Sequence, residues 1–218
     1  MPERVPERTS VADLARTKAL PEDALRGFGV TDVHGGGVRE EYLSPDGAPV
    51  RDRFRWTPGG LNSSTWEERD LPRTAYWRPF VPGLARDRGY LLLCEGESSC
   101  WTAWHHGVAA VGFPGADHIG VLGAGHLAGA DVIGVIVEPD DPDTYPRGAD
   151  HYRDQVLARL AQLGLPDAQR RVVVLDLTGT AADLVELHRQ DPQQFPARLG
   201  TLLDDARETR PPFVQEQR

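Results

Sequence analysis

In "YLLLCEGESSC" (residues 90–100) two glutamates follow directly on an apolar run, and the pattern recurs further along the chain. Glu95 and Glu97 come after Leu91-Leu92-Leu93-Cys94. Glu138, Asp140, Asp141 and Asp143 come after "VIGVIV", and Asp176 comes after "VVVL". Carboxylates gathered at one place repel one another, and a bound Mg²⁺ relieves that cost through oxygen ligation. Gly96, between the two glutamates, leaves room for a backbone or a phosphate at the start of the next helix, where N–H groups point outward. The chemistry these residue types suggest is metal-dependent phosphoryl chemistry. The plainer alternative is a set of solvated loop acids.

The elements around these acids support a common location. From residue 90 onward, short apolar runs ("YLLLC", "VAAVGF", "DVIGVIVE", "RVVVLDL") alternate with helical stretches. "SSCWTAWHHG" reads as a helix ended by Gly107. "GADHYRDQVLARLAQLG" has helical spacing at Tyr152, Val156, Leu160 and Leu163, and residues 181–207 hold two more helices. Runs of this kind predict a mainly parallel sheet of about four strands covered on both faces, an α/β domain. Ligands of such sheets bind beyond the carboxyl ends of the strands at a topological switch point, where the acids fall.

Ahead of this domain, residues 9–28 predict a helix opened by Thr9 or Ser10, a break at Pro21 and a short second helix. Residues 38–56 predict a hairpin around Pro45-Asp46-Gly47. Its second strand places Arg51, Arg53 and Arg55 on one face and Asp52 on the other. The arginines are candidates for nucleic-acid contact and Trp56 for stacking on a base, the alternative being a solvated face. Residues 57–80, rich in Pro, Gly, Ser and Trp, read as a loop or linker. The expected organisation is a small α+β region over 1–88, the α/β domain over 89–208 and a flexible tail over 209–218.

Net charge is −9, and all of it lies in residues 91–218, which argues against electrostatic coating of nucleic acid. No apolar run approaches the roughly 20 residues of a membrane span, and the N-terminus "MPERVPERTS" carries no secretory pattern. With only two cysteines, a cytoplasmic protein without membrane contact is expected. Cys94, Cys100, His105 and His106 fit no common zinc spacing, so no zinc is expected. Trp101 and Trp104 read as core, and His118 and His126 as loop or helix-surface residues. The G-x-G at Gly123 and Gly125 follows no strong strand, so a dinucleotide site is not expected. Lys18 is the only lysine among 24 basic residues, a bias attributed to a GC-rich genome.

"LLLCEGESSCWTAWHHGVAAVGFPGA" (residues 91–116) resembles the first part of a TOPRIM (Rossmann-like) domain, most closely the versions in phage- and plasmid-type primase proteins. Glu138-Pro139-Asp140 is similar to that family's second motif, and "DLVELHRQDPQQFPARLGTLLDDAR" to its C-terminal stretch. "LPEDALRGFGVTDV" with the Arg-bearing hairpin resembles the segment that precedes TOPRIM there. The resemblance implies that Glu95 is a general acid/base that also faces the metal, and that Glu138 and Asp140 hold Mg²⁺, with Mn²⁺ as a substitute. Gly96 and Gly115 fall on tight-turn glycines beside the site, and Asp183 on the aspartate of a late Lys-Asp element. It further implies primase-like nucleotidyl transfer in DNA replication, with DNA or RNA and nucleotides as partners. A TOPRIM nuclease and a non-catalytic replisome module are the alternatives.

The chain departs from the pattern at Ser99, where the family has Asp, and at Ala182, where it has Lys. Asp141 and Asp143 replace glycines, so Asp143 joins the candidate metal ligands. No zinc ribbon or P-loop occurs in the sequence. A stand-alone primase is therefore not expected, and a separately encoded helicase or polymerase is a candidate partner.

Overall fold

The computed structural model describes residues 8–57, 64–67, 73–139, 148–164 and 171–208. Helix α1 (Val11–Lys18) starts at Ser10, whose side chain and that of Asp13 form a reciprocal capping box. It ends at Ala19, in the left-handed conformation at φ 54°. Pro21 then opens α2 (Glu22–Gly27). Next comes an antiparallel sheet in sequence order, β1 (Val30–Asp32), β2 (Val38–Leu43), β3 (Pro49–Arg55) and β4 (Ser64–Trp66). The hairpin expected from the sequence is its centre; β1 and β4 extend it on either side.

The two-residue period puts Val38, Glu40 and Tyr42 of β2 on one face, opposite Arg55, Arg53 and Arg51 of β3. That face is turned inward, so the expected exposed row of arginines is corrected: Arg51 is 3% and Arg55 9% exposed. Trp56 is half-buried at the end of β3. Its ring stacks on Phe54 and its Nε1 donates to Thr65 Oγ1.

The segment read as a linker contains β4 and a buried strap. Tyr76 bridges Gly112 through two 2.8 Å backbone hydrogen bonds, and Trp77 Nε1 donates to Leu43 O. Helix α3 (Val81–Arg88) follows and packs on β5 (Tyr90–Cys94).

The second sheet is parallel, with strand order β6-β5-β7-β8 over β6 (Ala110–Gly112), β7 (Val132–Val137) and β8 (Arg171–Asp176). Helices α4 (Glu97–His105), α5 (Gly148–Gln162), α6 (Leu184–Gln190) and α7 (Phe195–Glu208) pack around it. This is the four-stranded α/β architecture expected. Beside it, one apolar core runs from Val11 to Ala206 through both sheets. Cys94, Cys100, Trp101 and Trp104 all lie in that core. His126 does as well, 2% exposed with its Nδ1 accepting from Gly123 N, which corrects its assignment to the surface. Among the described residues no helix is long and apolar enough to cross a membrane.

The sheets are joined by charge as well as by apolar packing. Glu97, at the first position of α4 and 4% exposed, accepts hydrogen bonds from Tyr42 Oη, Arg53 Nη1 and, at 3.4 Å, Arg55 Nη2. Arg55 Nε donates to Glu40 Oε1 at 2.7 Å. Two carboxylates and two guanidiniums thus neutralise one another in a buried set. Burial alone would raise the Glu97 carboxyl, but Arg53 and Arg55 hold it below its usual range, so it is anionic.

A second polar chain ties the helices together. His188 Nε2 lies 2.9 Å from Ala19 O, which can only accept, so Nε2 carries the proton. His188 Nδ1 then accepts from His106 Nε2 at 2.9 Å, and the His106 ring stacks on Phe195 at 4.3 Å. Burial, then the nearby His188 and His105, push His106 down from its usual 6.5 to about 4.

Two outcomes follow from these networks. Glu97→Ala leaves two buried guanidiniums short of a partner and should cost about 3–5 kcal/mol in urea unfolding; a loss below ~1 kcal/mol would show that the set does not hold the sheets. The unfolded chain binds a proton at His106 near pH 6.5, whereas the folded chain resists it down to about pH 4. Stability is therefore full above that window and falls as pH drops through it. His106→Gln, which keeps a donor without titrating, should flatten this loss in thermal melts at stepped pH. An unchanged slope would assign the loss to other groups.

Candidate active site

Strand β5 is flanked by β6 on one side and β7 on the other, so the chain reverses its direction of winding between β5 and β7. The crevice of a switch point opens there. Glu95 follows the last residue of β5 and Glu138 the last of β7. A cleft of about 270 Å³ lies at this point. Glu95, Gly96, Gly115, Glu138 and Asp183 line it together, with Ser98 and Ser99 from the first turn of α4. Arg53 and Arg55 contribute to the wall on the side of the small sheet.

The carboxylates of the cleft strain against one another. Burial, followed by the charges of Glu95 and Asp183, pushes Glu138 up to about 8, and a 3.3 Å hydrogen bond from Ser99 Oγ offsets part of this. Glu95 is also raised, by burial and then by Asp117. Asp183 caps α6, accepting from Glu186 N at 2.7 Å. The cleft carboxylates among the described residues are hard oxygen donors, the kind that Mg²⁺ takes. Among the described residues no three metal-ligating side chains are yet close enough to enclose an ion. Asp140 and Asp143 lie outside the described residues. Mg²⁺ takes one or two carboxylates and completes its shell with water and phosphate, so an open set is compatible with it.

The glycines divide. Gly115 has φ 121°, a conformation that favours glycine. Gly96 is extended at φ −145°, which any residue adopts, so it is not a tight-turn glycine; a Cβ there would meet nothing within 4 Å. Its missing side chain keeps the space above the α4 N-terminus open. Beside the cleft, packing does require a glycine at Gly112, where a Cβ would lie 2.8 Å from Cys100 Sγ and 3.1 Å from Gly96 O.

Arg51 and Trp56 do not line the cleft. Arg51 lies under the Trp66 ring, 4.4 Å from its centre. Three contributions escape a reading of the sequence. Glu97 joins the sheets where a solvent-facing or outer role was open, Ser99 contacts Glu138 directly, and Lys18 acts on the cleft from α1. Two of them had a visible signal, Ser99 as a departure from the motif and Lys18 as the sole lysine in an arginine-rich chain.

No family model matches the chain, and no curated protein matches it. Solved structures do. A DnaG catalytic core superposes with a TM-score of 0.62 at 16% identity, over 90% of this chain and 74% of that one. The E. coli primase catalytic core gives 0.57 at 15% identity, over 90% and 77% of the two chains. A DnaG primase catalytic domain bound to ssDNA gives 0.57 at 15%, over 91% and 75%. A parallel four-stranded sheet flanked by helices, with an antiparallel sheet before it, is the fold this chain shares with primase catalytic cores.

Proposed function

We propose that this chain is a TOPRIM protein that binds Mg²⁺ and carries out primase-like nucleotidyl transfer on nucleic acid during DNA replication. The observation that carries this reading is Glu138, half-buried beside Glu95 and Asp183 in the cleft at the switch point, where mutual repulsion awaits a cation. Glu138 with Asp140 and Asp143 would hold the ion, and Glu95 would face it. Bound there, Mg²⁺ neutralises charge developing on the reacting phosphate.

The protein's own groups supply the rest. Glu95, raised above the ordinary carboxylate range, is suited to accept a proton from an attacking hydroxyl and return it. The open N-terminus of α4, uncapped by any side chain at Gly96, offers N–H groups to phosphate oxygens. Arg53 faces the cleft while paired with Glu97, so it adds positive potential without being an unattached phosphate ligand. One neighbour in fold is a primase domain bound to ssDNA, which supports single-stranded nucleic acid as template, with nucleotides as substrates. A helicase or polymerase encoded elsewhere fits as partner.

A second reading, a non-catalytic replisome module, draws on the open arrangement of the described carboxylates and on Ser99 beside Glu138. Calorimetry separates the two. Mg²⁺ or Mn²⁺ should bind with micromolar to low-millimolar affinity and cease to bind in Glu138→Ala/Asp140→Ala. Glu95→Gln should keep the metal yet lose on the order of 10²–10⁴-fold in primer synthesis on single-stranded DNA. A folded wild type that binds neither cation would overturn the enzymatic reading, and strand cleavage in place of synthesis would reassign it to a nuclease.

A further inference from the structure

Ser99 occupies a place that is fixed from both sides. Two residues before it, Glu97 is held by Tyr42, Arg53 and Arg55. One residue after it, Cys100 Sγ lies so close over Gly112 that a Cβ there would be 2.8 Å away. Next, Trp101 Nε1 donates to Tyr76 Oη at 2.8 Å. The first turn of α4 therefore has little freedom, and Ser99, which lines the cleft, is 3% exposed. Glu138 stands at the end of β7, a strand paired on both sides, where Leu177 N donates to Val137 O at 3.0 Å. The 3.3 Å hydrogen bond from Ser99 Oγ to Glu138 Oε1 thus joins two rigid elements. It engages one oxygen of the carboxylate, and among the described residues the other accepts no hydrogen bond.

That division decides what a cation can take. Ca²⁺ gathers about 6–8 oxygens at about 2.3–2.6 Å and readily takes both oxygens of one carboxylate. Mg²⁺ accepts one oxygen per carboxylate at about 2.0–2.1 Å and keeps several waters, but it demands near-octahedral placement. A carboxylate with one oxygen occupied by a fixed hydroxyl is a one-oxygen ligand of fixed direction, which suits Mg²⁺ and disfavours Ca²⁺. A carboxylate in place of the hydroxyl would do the opposite, since it could not donate to Glu138 and would add two further oxygens. We propose that Ser99 makes the cleft discriminate against Ca²⁺, by holding Glu138 as a one-oxygen ligand for the smaller ion. This rests on the metal-dependent reading of the cleft and adds to it the basis of ion choice. Ser99 is a positioning residue, since it acts through Glu138 and touches no reacting atom.

Titration calorimetry of the full chain with Mg²⁺ and with Ca²⁺ tests this. In Ser99→Ala, Mg²⁺ should bind about tenfold more weakly, because Glu138 is no longer fixed, while Ca²⁺ binds as well as to wild type or more tightly. Ser99→Thr keeps a hydroxyl and should hold the ratio of the two affinities within about twofold of wild type. Should its extra methyl be too large for so buried a site, Ser99→Cys, a weaker donor of similar size, should give a ratio between wild type and Ser99→Ala. A purely structural role would weaken both ions alike. That result, an unchanged ratio in Ser99→Ala, or a wild type that prefers Ca²⁺ would overturn the proposal. The two levels give different results. A wild type that binds Mg²⁺ with a preference indifferent to Ser99→Ala loses the role of Ser99 and keeps the metal site. A folded wild type that binds neither ion loses both.

Discussion

The structure depends on one buried carboxylate. Glu97 begins α4, where a negative charge is favoured by the helix dipole. From there it reaches across to Tyr42, Arg53 and Arg55 of the other sheet. A lone buried charge would be prohibitive, and so would two buried guanidiniums; together with Glu40 they form a neutral set. The geometry of the cleft is a by-product. The ion pairs that clamp the small sheet against α4 also set Arg53 and Arg55 beside Glu95 and Glu138. Apolar packing could have joined the sheets in several registers, whereas a charge set with fixed donors and acceptors selects one.

The clamp also explains why a cleft rich in carboxylates coexists with nearby arginines that do not cancel them. Arg55 is held by Glu40 and Glu97, and Arg53 by Glu97. Neither is at liberty to swing onto Glu138. That carboxylate is left with Ser99 as its hydrogen-bond partner among the described residues, and burial with the charges of Glu95 and Asp183 favours its protonated form. A site that kept its own counter-ion would have less need of a metal.

Much of this was legible in the sequence, for identifiable reasons. Apolar runs of parallel-strand length and their acidic ends gave β5, β7 and β8, and with them Glu95 and Glu138. The destination of the arginines was not legible. Alternation shows that Arg51, Arg53 and Arg55 share a face, but not that the face is turned inward. The carboxylate that makes their burial tolerable stands 44 residues after Arg53. Gly96 and Gly112 make the same point. The motif draws attention to Gly96, while the steric demand falls on Gly112, through a contact with Cys100 that no local pattern encodes. His126 looked like a surface residue because the 3₁₀ turns around it have no periodic apolar signature.

The hydrogen bond from His188 to the carbonyl of Ala19 spans 169 positions of the chain. Asp183, at the cap of the same helix, lines the cleft alongside residues that come much earlier. A chain emerging from the ribosome can fold its small antiparallel sheet soon after residue 66, and the clamp can close once α4 exists. The cleft must wait for α6. With closures of this length rate-limiting, slow folding is the expectation. Until α6 docks, one side of α4 and the end of α1 stay exposed, a stage at which partly folded chains tend to associate. The order of synthesis thus delays the assembled site until the fold around it is nearly complete.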